Sequence, residues 1–233
     1  MTATPRTAPE FFVDTWSVYK KIVGNNYMFH REIYGDVQKL LPSTETTPFS
    51  LLDLGCGDAS QMAPILRGRP LKRYCGVDLS DVALQLARQN LDGITATVDL
   101  VCDDMLGYLE ETEGLSDVIF SSFALHHLTT PDKQRFLNAS HRRLSPGGRL
   151  ILIDVMRDET QPLADYLDHY CGTMEREWTG LSAEELRFAT THVRDCDLPD
   201  TLDQLETLSR KAGFNACQPV CRHTWHQLVT FLA

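Results

Sequence analysis

The residues of this chain with the clearest potential for ligand binding lie in an acidic, glycine-rich turn that follows an apolar run. Residues 51–58 read LLDLGCGD, and Asp78 closes a second apolar run that starts at residue 74. Glycines at the carboxyl end of a buried strand let the backbone turn sharply and approach a ligand closely. A carboxylate at the end of the next strand can accept hydrogen bonds from both hydroxyls of a ribose. The pattern predicts a nucleoside-binding site.

The residues after Gly57 indicate which kind of nucleoside the loop favours. Ser60 stands three positions after Gly57, where the dinucleotide fingerprint G-x-G-x-x-G has its last glycine. Carboxylates at Asp53 and Asp58 would repel a phosphate but attract the cationic end of an amino acid. The loop therefore disfavours a pyrophosphate, and with it a nicotinamide oxidoreductase.

The form Asp-x-Gly-x-Gly is also the first motif of a known family. On this motif the chain resembles the class I S-adenosylmethionine (SAM) dependent methyltransferases; the alternative is a glycine turn in some other α/β protein. Residues 98–105 resemble the family's third strand and acidic turn, which implies that Asp104 holds the adenine amino group. Asp103 stands where the family often has glycine, so the two carboxylates could exchange roles. An exposed acidic turn is the other interpretation.

Two later segments follow in the order that the family has. Residues 116–128 resemble the fourth strand and its following turn, and residues 144–154 resemble a Pro-Gly-Gly turn into the fifth strand. The implied fold class is α/β, with a seven-stranded, doubly wound, mostly parallel sheet. Residues 214–220 and 225–232 are expected to form an antiparallel hairpin at the sheet edge.

The elements that must position these motifs divide into four segments. We predict an N-terminal helical lid over residues 1–48 and a SAM-binding Rossmann-like core over residues 49–156. A helical insertion over residues 157–200 is expected to cover the substrate. Residues 201–233 return to the core as its last helix and edge hairpin.

Two N-terminal helices are predicted from aromatic and apolar residues at helical spacing, beginning with Phe12 and Trp16 and broken at residues 24–26. In the resembling family such a segment covers the SAM pocket, although Tyr and His on a helix face also serve as core residues. The predicted cofactor-binding residues are Tyr19, His30, Arg31, Asp53, Gly55, Cys56, Gly57, Asp58, Asp78, Leu79, Asp104, Met105, Ser121 and Ser122.

His126 and His127, just past the fourth strand, are the candidate catalytic residues. SAM carries its methyl group on a sulfonium, so the transfer is an in-line displacement that depends mainly on positioning. A base is required only when the acceptor must lose a proton early, and histidine titrates near neutral pH. A structural or cofactor-side role for one of the two histidines is the alternative.

Aromatic residues in the insertion are the candidate substrate contacts. They are Tyr166, His169, Tyr170 and Trp178. A helical cover rich in aromatic rings would exclude water and shape a closed pocket. The alternative is that these rings attach the insertion to the sheet.

No metal is predicted. Some members of the resembling family bind a divalent ion through carboxylates, and Asp154, Asp158 and Glu159 could be arranged in that way. Their spacing has no specific metal signature, so a solvated acidic turn is the preferred interpretation of Asp158 and Glu159.

Composition limits the partners. The net charge of −10 argues against a nucleic acid, which needs a basic face. No apolar run approaches the ~20 residues that span a bilayer, so no membrane partner is expected. Seven cysteines without a C-x-x-C pair indicate reduced thiols and a cytoplasmic location. A homodimer remains open.

We therefore predict a SAM-dependent methyltransferase that acts on an oxygen or nitrogen of a small-molecule metabolite. One alternative is a methyltransferase acting on RNA or protein, although the Asn-Pro-Pro-Tyr and Pro-Cys motifs of base methylation are absent. Another is a SAM-binding module without catalysis. The acceptor atom depends on the site rather than on the fold.

Overall fold

Helices and strands alternate along most of the chain in a computed structural model that describes residues 8–43 and 48–233, with side chains from Trp16 onward. Within these ranges the helices are α1 (Ala8–Gly24), α2 (His30–Leu40), α3 (Met62–Leu66), α4 (Asp81–Asn90), α5 (Met105–Glu111), α6 (Thr130–Arg143), α7 (Leu163–Glu177), α8 (Ala183–Cys196) and α9 (Leu202–Ala212). The strands are β1 (Phe49–Leu54), β2 (Leu71–Asp78), β3 (Thr97–Cys102), β4 (Ser116–Ser122), β5 (Leu144–Val155), β6 (Ala216–His223) and β7 (His226–Leu232).

The seven strands of the described residues form one sheet in the order β3-β2-β1-β4-β5-β7-β6. Strands β1 to β5 are parallel, whereas β7 runs antiparallel to both β5 and β6. The predicted α/β fold class, with its edge hairpin, is confirmed. Because the strand order reverses between β1 and β4, a crevice opens at their carboxyl ends.

Both faces of the sheet are buried, which explains why the strands read as apolar runs. Neighbouring residues of β1 point to opposite sides: Leu51 belongs to one hydrophobic cluster and Leu52 to the other. The first cluster includes Ile33 of α2 and Tyr170 of α7, and the second includes Phe136 of α6. The sheet is therefore a rigid platform between two helical layers.

Helix α1 ends at Gly24, where the sequence predicts a break, and packs beside α8 through an ion pair between Lys21 and Glu185 with an N–O distance of 2.6 Å. Helices α7 and α8 occupy the predicted insertion after β5. The side chain of Phe12 and residues 44–47 lie outside the described residues. Over the described ranges, no helix combines the length and the apolar character that crossing a bilayer requires.

Candidate active site

A cavity of about 260 Å³ lies at the carboxyl ends of β1, β2 and β4. This is the position at which open α/β sheets bind ligands, because the loops diverge where the strand order reverses. Most of the predicted cofactor residues line the cavity. They are Tyr19, Asp53, Gly55, Cys56, Gly57, Asp58, Asp78, Leu79, Asp104, Met105 and Ser122.

Three predicted cofactor residues do not line this cavity, and their assignment to direct contact is corrected. His30 is buried beside it, with Nε2 3.5 Å from the Tyr19 hydroxyl, and burial lowers the pKa of His30 to about 4. Arg31 is exposed and donates to a backbone carbonyl of α1. Ser121 is fully buried and donates to the carbonyl of Leu54 at 3.0 Å.

Asp78 fixes the glycine loop at the end of β2. Its Oδ2 accepts the N–H of Gly57 at 2.8 Å, and its Oδ1 accepts the N–H of Ser80 at 2.8 Å. Burial raises the pKa of Asp78, the two hydrogen bonds oppose this rise, and the nearby Asp58 adds to it. Each carboxylate oxygen retains a lone pair, so Asp78 can still accept hydrogen bonds from ribose hydroxyls.

Asp53 lies at the floor of the cavity, buried at the end of β1. Its Oδ2 accepts the Tyr74 hydroxyl at 2.7 Å. Burial raises the pKa of Asp53 to about 7; the Tyr74 hydrogen bond opposes that rise and Asp78 adds to it. Because a cation beside a carboxyl group favours its charged form, an amino group in this cavity would ionise Asp53.

The two glycines of the loop bring the backbone close to its neighbours, as a ligand-binding turn requires. Gly55 has a φ of 72°, and a Cβ built on it would lie 2.9 Å from the Ala124 Cβ. Gly57 has a φ of 53°, and a Cβ there would lie 2.8 Å from Cη2 of Trp16. Residues with side chains are strained at such φ values, so both positions need glycine.

The acidic turn after β3 brings two carboxylates to the cavity wall, Asp103 and Asp104. Asp104 also caps α5, because its Oδ1 accepts the N–H groups of Leu106 at 3.0 Å and Gly107 at 2.8 Å. Asp103 accepts the Asp104 N–H at 2.8 Å. Both Asp103 and Asp104 line the cavity, so either of them could hold the adenine amino group, as the sequence also allows.

A second cavity, of about 90 Å³, adjoins the first beneath α1, α7 and α8. Trp16, Tyr19, Phe123 and His127 line both cavities, which makes them the boundary between the two spaces. Most of the other walls are apolar. The polar side chains that line the second cavity include those of His126, His192, Asp197 and Tyr170.

His126 and His127, the predicted catalytic residues, are held differently. His126 Nδ1 hydrogen-bonds to Asp154 Oδ1, and the His126 backbone N–H donates to Asp154 Oδ2 at 2.9 Å. His126 Nε2 and His127 Nδ1 each lie 3.6 Å from Asp197 Oδ1, and His192 Nε2 lies 3.9 Å from the same oxygen. Of the two predicted catalytic histidines, only His127 lines both cavities.

Electrostatics separate the two histidines further. Burial acts to lower the pKa of His126, but Asp154 and Asp197 outweigh it, so that this pKa is raised. Burial, together with His126 and His192, holds the pKa of His127 well below its usual value. Burial likewise lowers the pKa of His192 to about 4 and raises that of Asp197 to about 7. At neutral pH, His127 therefore presents a neutral imidazole to the boundary between the cavities.

Two of the four predicted substrate residues line the second cavity: Tyr170 and Trp178. Tyr166 does not, because it is fully buried against Tyr170 with ring centroids 5.5 Å apart. His169 is exposed on α7, so its predicted substrate contact is also corrected.

Several lining residues are absent from the predicted site. Trp16 and Phe123 line both cavities, and Phe123 has a φ of 52°, an uncommon conformation for a bulky side chain. Asp197 lies between α8 and α9, where no local pattern marks it. Trp16 and Tyr34 stand on predicted helix faces of the N-terminal segment, and His192 lies within the insertion; these positions are the signals that could have identified them.

Asp154, Asp158 and Glu159, the three acidic residues considered for a divalent ion, each have a partner within the protein. Asp154 binds His126, whereas Asp158 pairs with Arg222 and Glu159 accepts the Asp203 N–H at 3.2 Å.

Comparison with known proteins adds a family similarity to this geometry. Residues 51–148 match the family described as "Methyltransferase domain". Over 225 residues the chain is 21% identical to the carboxy-S-adenosyl-L-methionine synthase of Campylobacter fetus subsp. fetus (strain 82-40), covering 96% of this chain and 93% of that relative.

Solved structures show the same fold. An O-methyltransferase family 2 protein from Planctomyces limnophilus DSM 3776, in complex with apigenin, matches 99% of this chain with a TM-score of 0.67 and 15% identity. The pyocyanin biosynthetic protein PhzM matches 86% of the chain with a TM-score of 0.60 and 19% identity. The chain spans 63% and 54% of those two structures, respectively.

Proposed function

The chain has the fold of the class I SAM-dependent methyltransferases and carries a methyltransferase domain at residues 51–148, and from this premise we propose that it methylates an oxygen or nitrogen of a small molecule. The observation that carries the proposal is the junction of two cavities at four shared residues. The larger cavity suits the cofactor, and the smaller one suits an acceptor next to its methyl group.

Bound SAM would supply a methyl carbon on a sulfonium, an already activated leaving group. The residues of the chain then have to orient the two reactants and exclude water. Asp78 is placed to accept the ribose hydroxyls, and Asp53 and Asp58 favour the cationic amino group. Either Asp103 or Asp104 can accept the adenine amino group.

The acceptor would enter the second cavity. His127 borders both cavities, and its neutral imidazole is suited to take a proton from a hydroxyl or an ammonium as the new bond forms. His126 is held by Asp154 and lies only on the acceptor side. We assign the base to His127 and a positioning role to His126.

A small acceptor is favoured by the size and charge of the site. The second cavity has a volume of about 90 Å³, and three helices cover it. The chain has a net charge of −10, which opposes a polyanionic acceptor such as RNA. The apolar walls suit a compact, partly apolar molecule with one polar acceptor atom.

A second candidate function is the one named for the Campylobacter relative, which shares most of its length with this chain. The name of that relative gives a carboxylated SAM as its product, which adds a second carboxylate to the one that SAM itself carries, and each buried carboxylate needs a cationic partner. Within the described part of the chain, neither cavity has Lys or Arg in its lining. We therefore rank methyl transfer above carboxy-SAM formation.

The two functions have different products. The protein is incubated with SAM and a panel of small hydroxylated and amino-bearing aromatic compounds, and the products are analysed by mass spectrometry. Methyl transfer yields S-adenosylhomocysteine and an acceptor heavier by one CH2 unit. If no compound of the panel gains a methyl group and no S-adenosylhomocysteine forms, methyl transfer to such acceptors is rejected. Carboxylated compounds are then added as donors of a carboxyl group, and a carboxylated SAM would identify the second function.

The base assignment is tested with His127→Gln, with His169→Gln as the exposed control. His127→Gln should lower kcat by about 100-fold, as loss of a general base does, while S-adenosylhomocysteine affinity changes little. His169→Gln should leave both quantities unchanged. An unaltered kcat in His127→Gln would remove His127 from the mechanism.

A further inference from the structure

Three imidazole nitrogens surround one buried carboxylate oxygen at the edge of the second cavity. His126 Nε2 and His127 Nδ1 each lie 3.6 Å from Asp197 Oδ1, and His192 Nε2 lies 3.9 Å from it. The potential ligand atoms of His126, His127 and Asp197 lie within 4.8 Å of one another. Residues from the turn after β4 and from the segment after α8 thus converge on one point.

These separations are too long for hydrogen bonds but suit ligands that share a metal ion. Asp197 is 5% exposed, and its Oδ1 has no hydrogen-bond partner among the described residues. Such a buried oxygen is costly to leave unsatisfied. In a tetrahedral site with metal–ligand bonds of about 2.0–2.1 Å, neighbouring ligand atoms lie roughly 3.3 Å apart. The two nitrogen–oxygen distances of 3.6 Å need only a small contraction to reach that geometry.

The outer contacts of the two histidines are those that ligating imidazoles have. His126 Nδ1 hydrogen-bonds to Asp154, which orients Nε2 towards Asp197. His127 has a hydrogen bond with the backbone of Cys196, while its Nδ1 faces Asp197. Metal-binding histidines generally use their second nitrogen for a carboxylate or a backbone carbonyl, because this contact fixes the tautomer and ring orientation.

Charge balance allows a bound cation in place of a proton on His126. Asp154 and Asp197 are 3% and 5% exposed, which places two acidic groups together in the interior. The nearest buried lysine, Lys133, already pairs with Asp200 at an N–O distance of 2.7 Å. Buried carboxylates are usually paired or bound to a metal, since an isolated charge in the interior is unfavourable.

We propose that His126, His127 and Asp197 bind a divalent transition-metal ion at the edge of the acceptor cavity. With that ion bound, His127 is a ligand and has no free nitrogen, so the base role proposed for His127 above belongs to the metal-free protein. Two imidazoles and one carboxylate suit Zn²⁺, Fe²⁺ or Co²⁺ rather than Mg²⁺ or Ca²⁺, which prefer oxygen ligands. The second cavity borders all three ligands and leaves room for a further ligand from an acceptor or from His192. The proposal differs from the sequence-based expectation of no metal.

The test uses the full chain after treatment with a chelator, without SAM or acceptor, so its result does not depend on the proposed methyl transfer. CoCl2 is added while the visible absorption of Co²⁺ is followed, and ZnCl2 is added in a calorimeter. One Co²⁺ per chain with the intense absorption of a tetrahedral site is expected, and Zn²⁺ should displace it.

Asp197→Asn and His127→Gln are the ligand variants, and His169→Gln is the control because His169 is exposed on α7. Each ligand variant should weaken Co²⁺ affinity by about 10-fold or more, and His169→Gln should leave it unchanged. Thermal unfolding of every variant verifies that it is folded, and His126→Gln provides a third ligand change if one of the others unfolds.

Two outcomes would overturn the proposal. The first is a wild-type chain without saturable Co²⁺ binding, in which case protons rather than a metal balance the buried acids. Alternatively, the folded ligand variants could keep the wild-type affinity, which would place the ion elsewhere.

Discussion

The ring of Trp16 lies directly over Gly57, so that a Cβ built on the glycine would be 2.8 Å from Cη2 of the indole. This contact joins helix α1 to the loop after β1 and closes one side of the larger cavity. The indole Nε1 is buried and has no hydrogen-bond partner among the described residues. The glycine loop after β1 and helix α1 are thus packed as one unit.

Gly57→Ala should therefore weaken S-adenosylhomocysteine binding by at least about 10-fold, because the new methyl group collides with Trp16 and strains a φ of 53°. Isothermal titration measures the affinity. The matched control is Gly93→Ala: its φ is 81°, but a Cβ there meets nothing within 4 Å. Equal affinity losses in both variants would show that backbone strain, not the Trp16 contact, is responsible.

Asp78→Asn keeps the shape of the side chain but removes its charge. If Asp78 holds the ribose, the affinity for S-adenosylhomocysteine should fall by about 10- to 100-fold, since hydrogen bonds to charged groups are worth about 1.5–3 kcal/mol. Asp92→Asn, at an exposed position after α4, is the control. An unchanged affinity in Asp78→Asn would reject the ribose assignment.

Cofactor binding should release protons from Asp53. Its pKa of about 7 leaves it partly protonated near neutral pH, and a cationic amino group would favour the carboxylate. Affinity should therefore rise as the pH increases through about 7. Calorimetry in buffers of different ionisation enthalpy measures the number of protons released on binding. In Asp53→Asn this number should be smaller, because Asp53 no longer contributes to it.

The same pKa affects the stability of the ligand-free protein. Because the folded-state pKa of Asp53 is raised above its usual value, its contribution to stability is present at acidic pH and is lost as the pH rises through about 7. The free energy of unfolding should therefore fall less between about pH 4 and pH 7 in Asp53→Asn than in wild type. If the free energy of unfolding depended on pH equally in wild type and in Asp53→Asn, the raised pKa of Asp53 would be contradicted.

The two cavities should respond separately to mutation. Phe188 lines only the second cavity, whereas Leu79 lines only the first. Phe188→Ala should alter KM or the choice of acceptor and leave S-adenosylhomocysteine affinity within about 2-fold. Leu79→Ala should weaken that affinity by about 3- to 10-fold through lost apolar contact. Cofactor binding that depends on Phe188 would contradict the division into two sites.

Lys133 stabilises the segment that carries Asp197. It is 1% exposed, pairs with Asp200, and donates to the carbonyl of Leu198. Lys133→Met should lower the free energy of unfolding by about 3–5 kcal/mol, because it leaves Asp200 as an unpaired buried acid. Adding Asp200→Leu should restore part of the loss in denaturant unfolding.

The exposed ion pair of Lys39 with Asp36 is the control for this measurement. Lys39→Met should change stability little, since solvent screens exposed pairs. If Lys39→Met and Lys133→Met had the same effect, burial of the Lys133 pair would not matter.

The sequence alone determined the fold class and located the glycine loop after β1. Gly55, Gly57 and Asp78 are recognisable because a strand, a turn and the next strand place them through local geometry. The alternation of side chains along a strand then decides which of two neighbouring residues faces the cavity, which a motif leaves open. Ser122 faces the cavity, whereas the adjacent Ser121 points into the sheet, because successive side chains of a strand lie on opposite faces.

Only the tertiary structure decided how the second cavity is built. Asp197 meets His126 and His127 because α7 and α8 pack over the sheet, and Trp16 meets Gly57 because α1 packs beside α8. Neither contact has a local periodicity or turn signal, since both depend on hydrophobic packing between segments far apart in the chain. His169 and Tyr170 illustrate this: neighbours on one helix, they differ in burial because only one face of α7 meets the core.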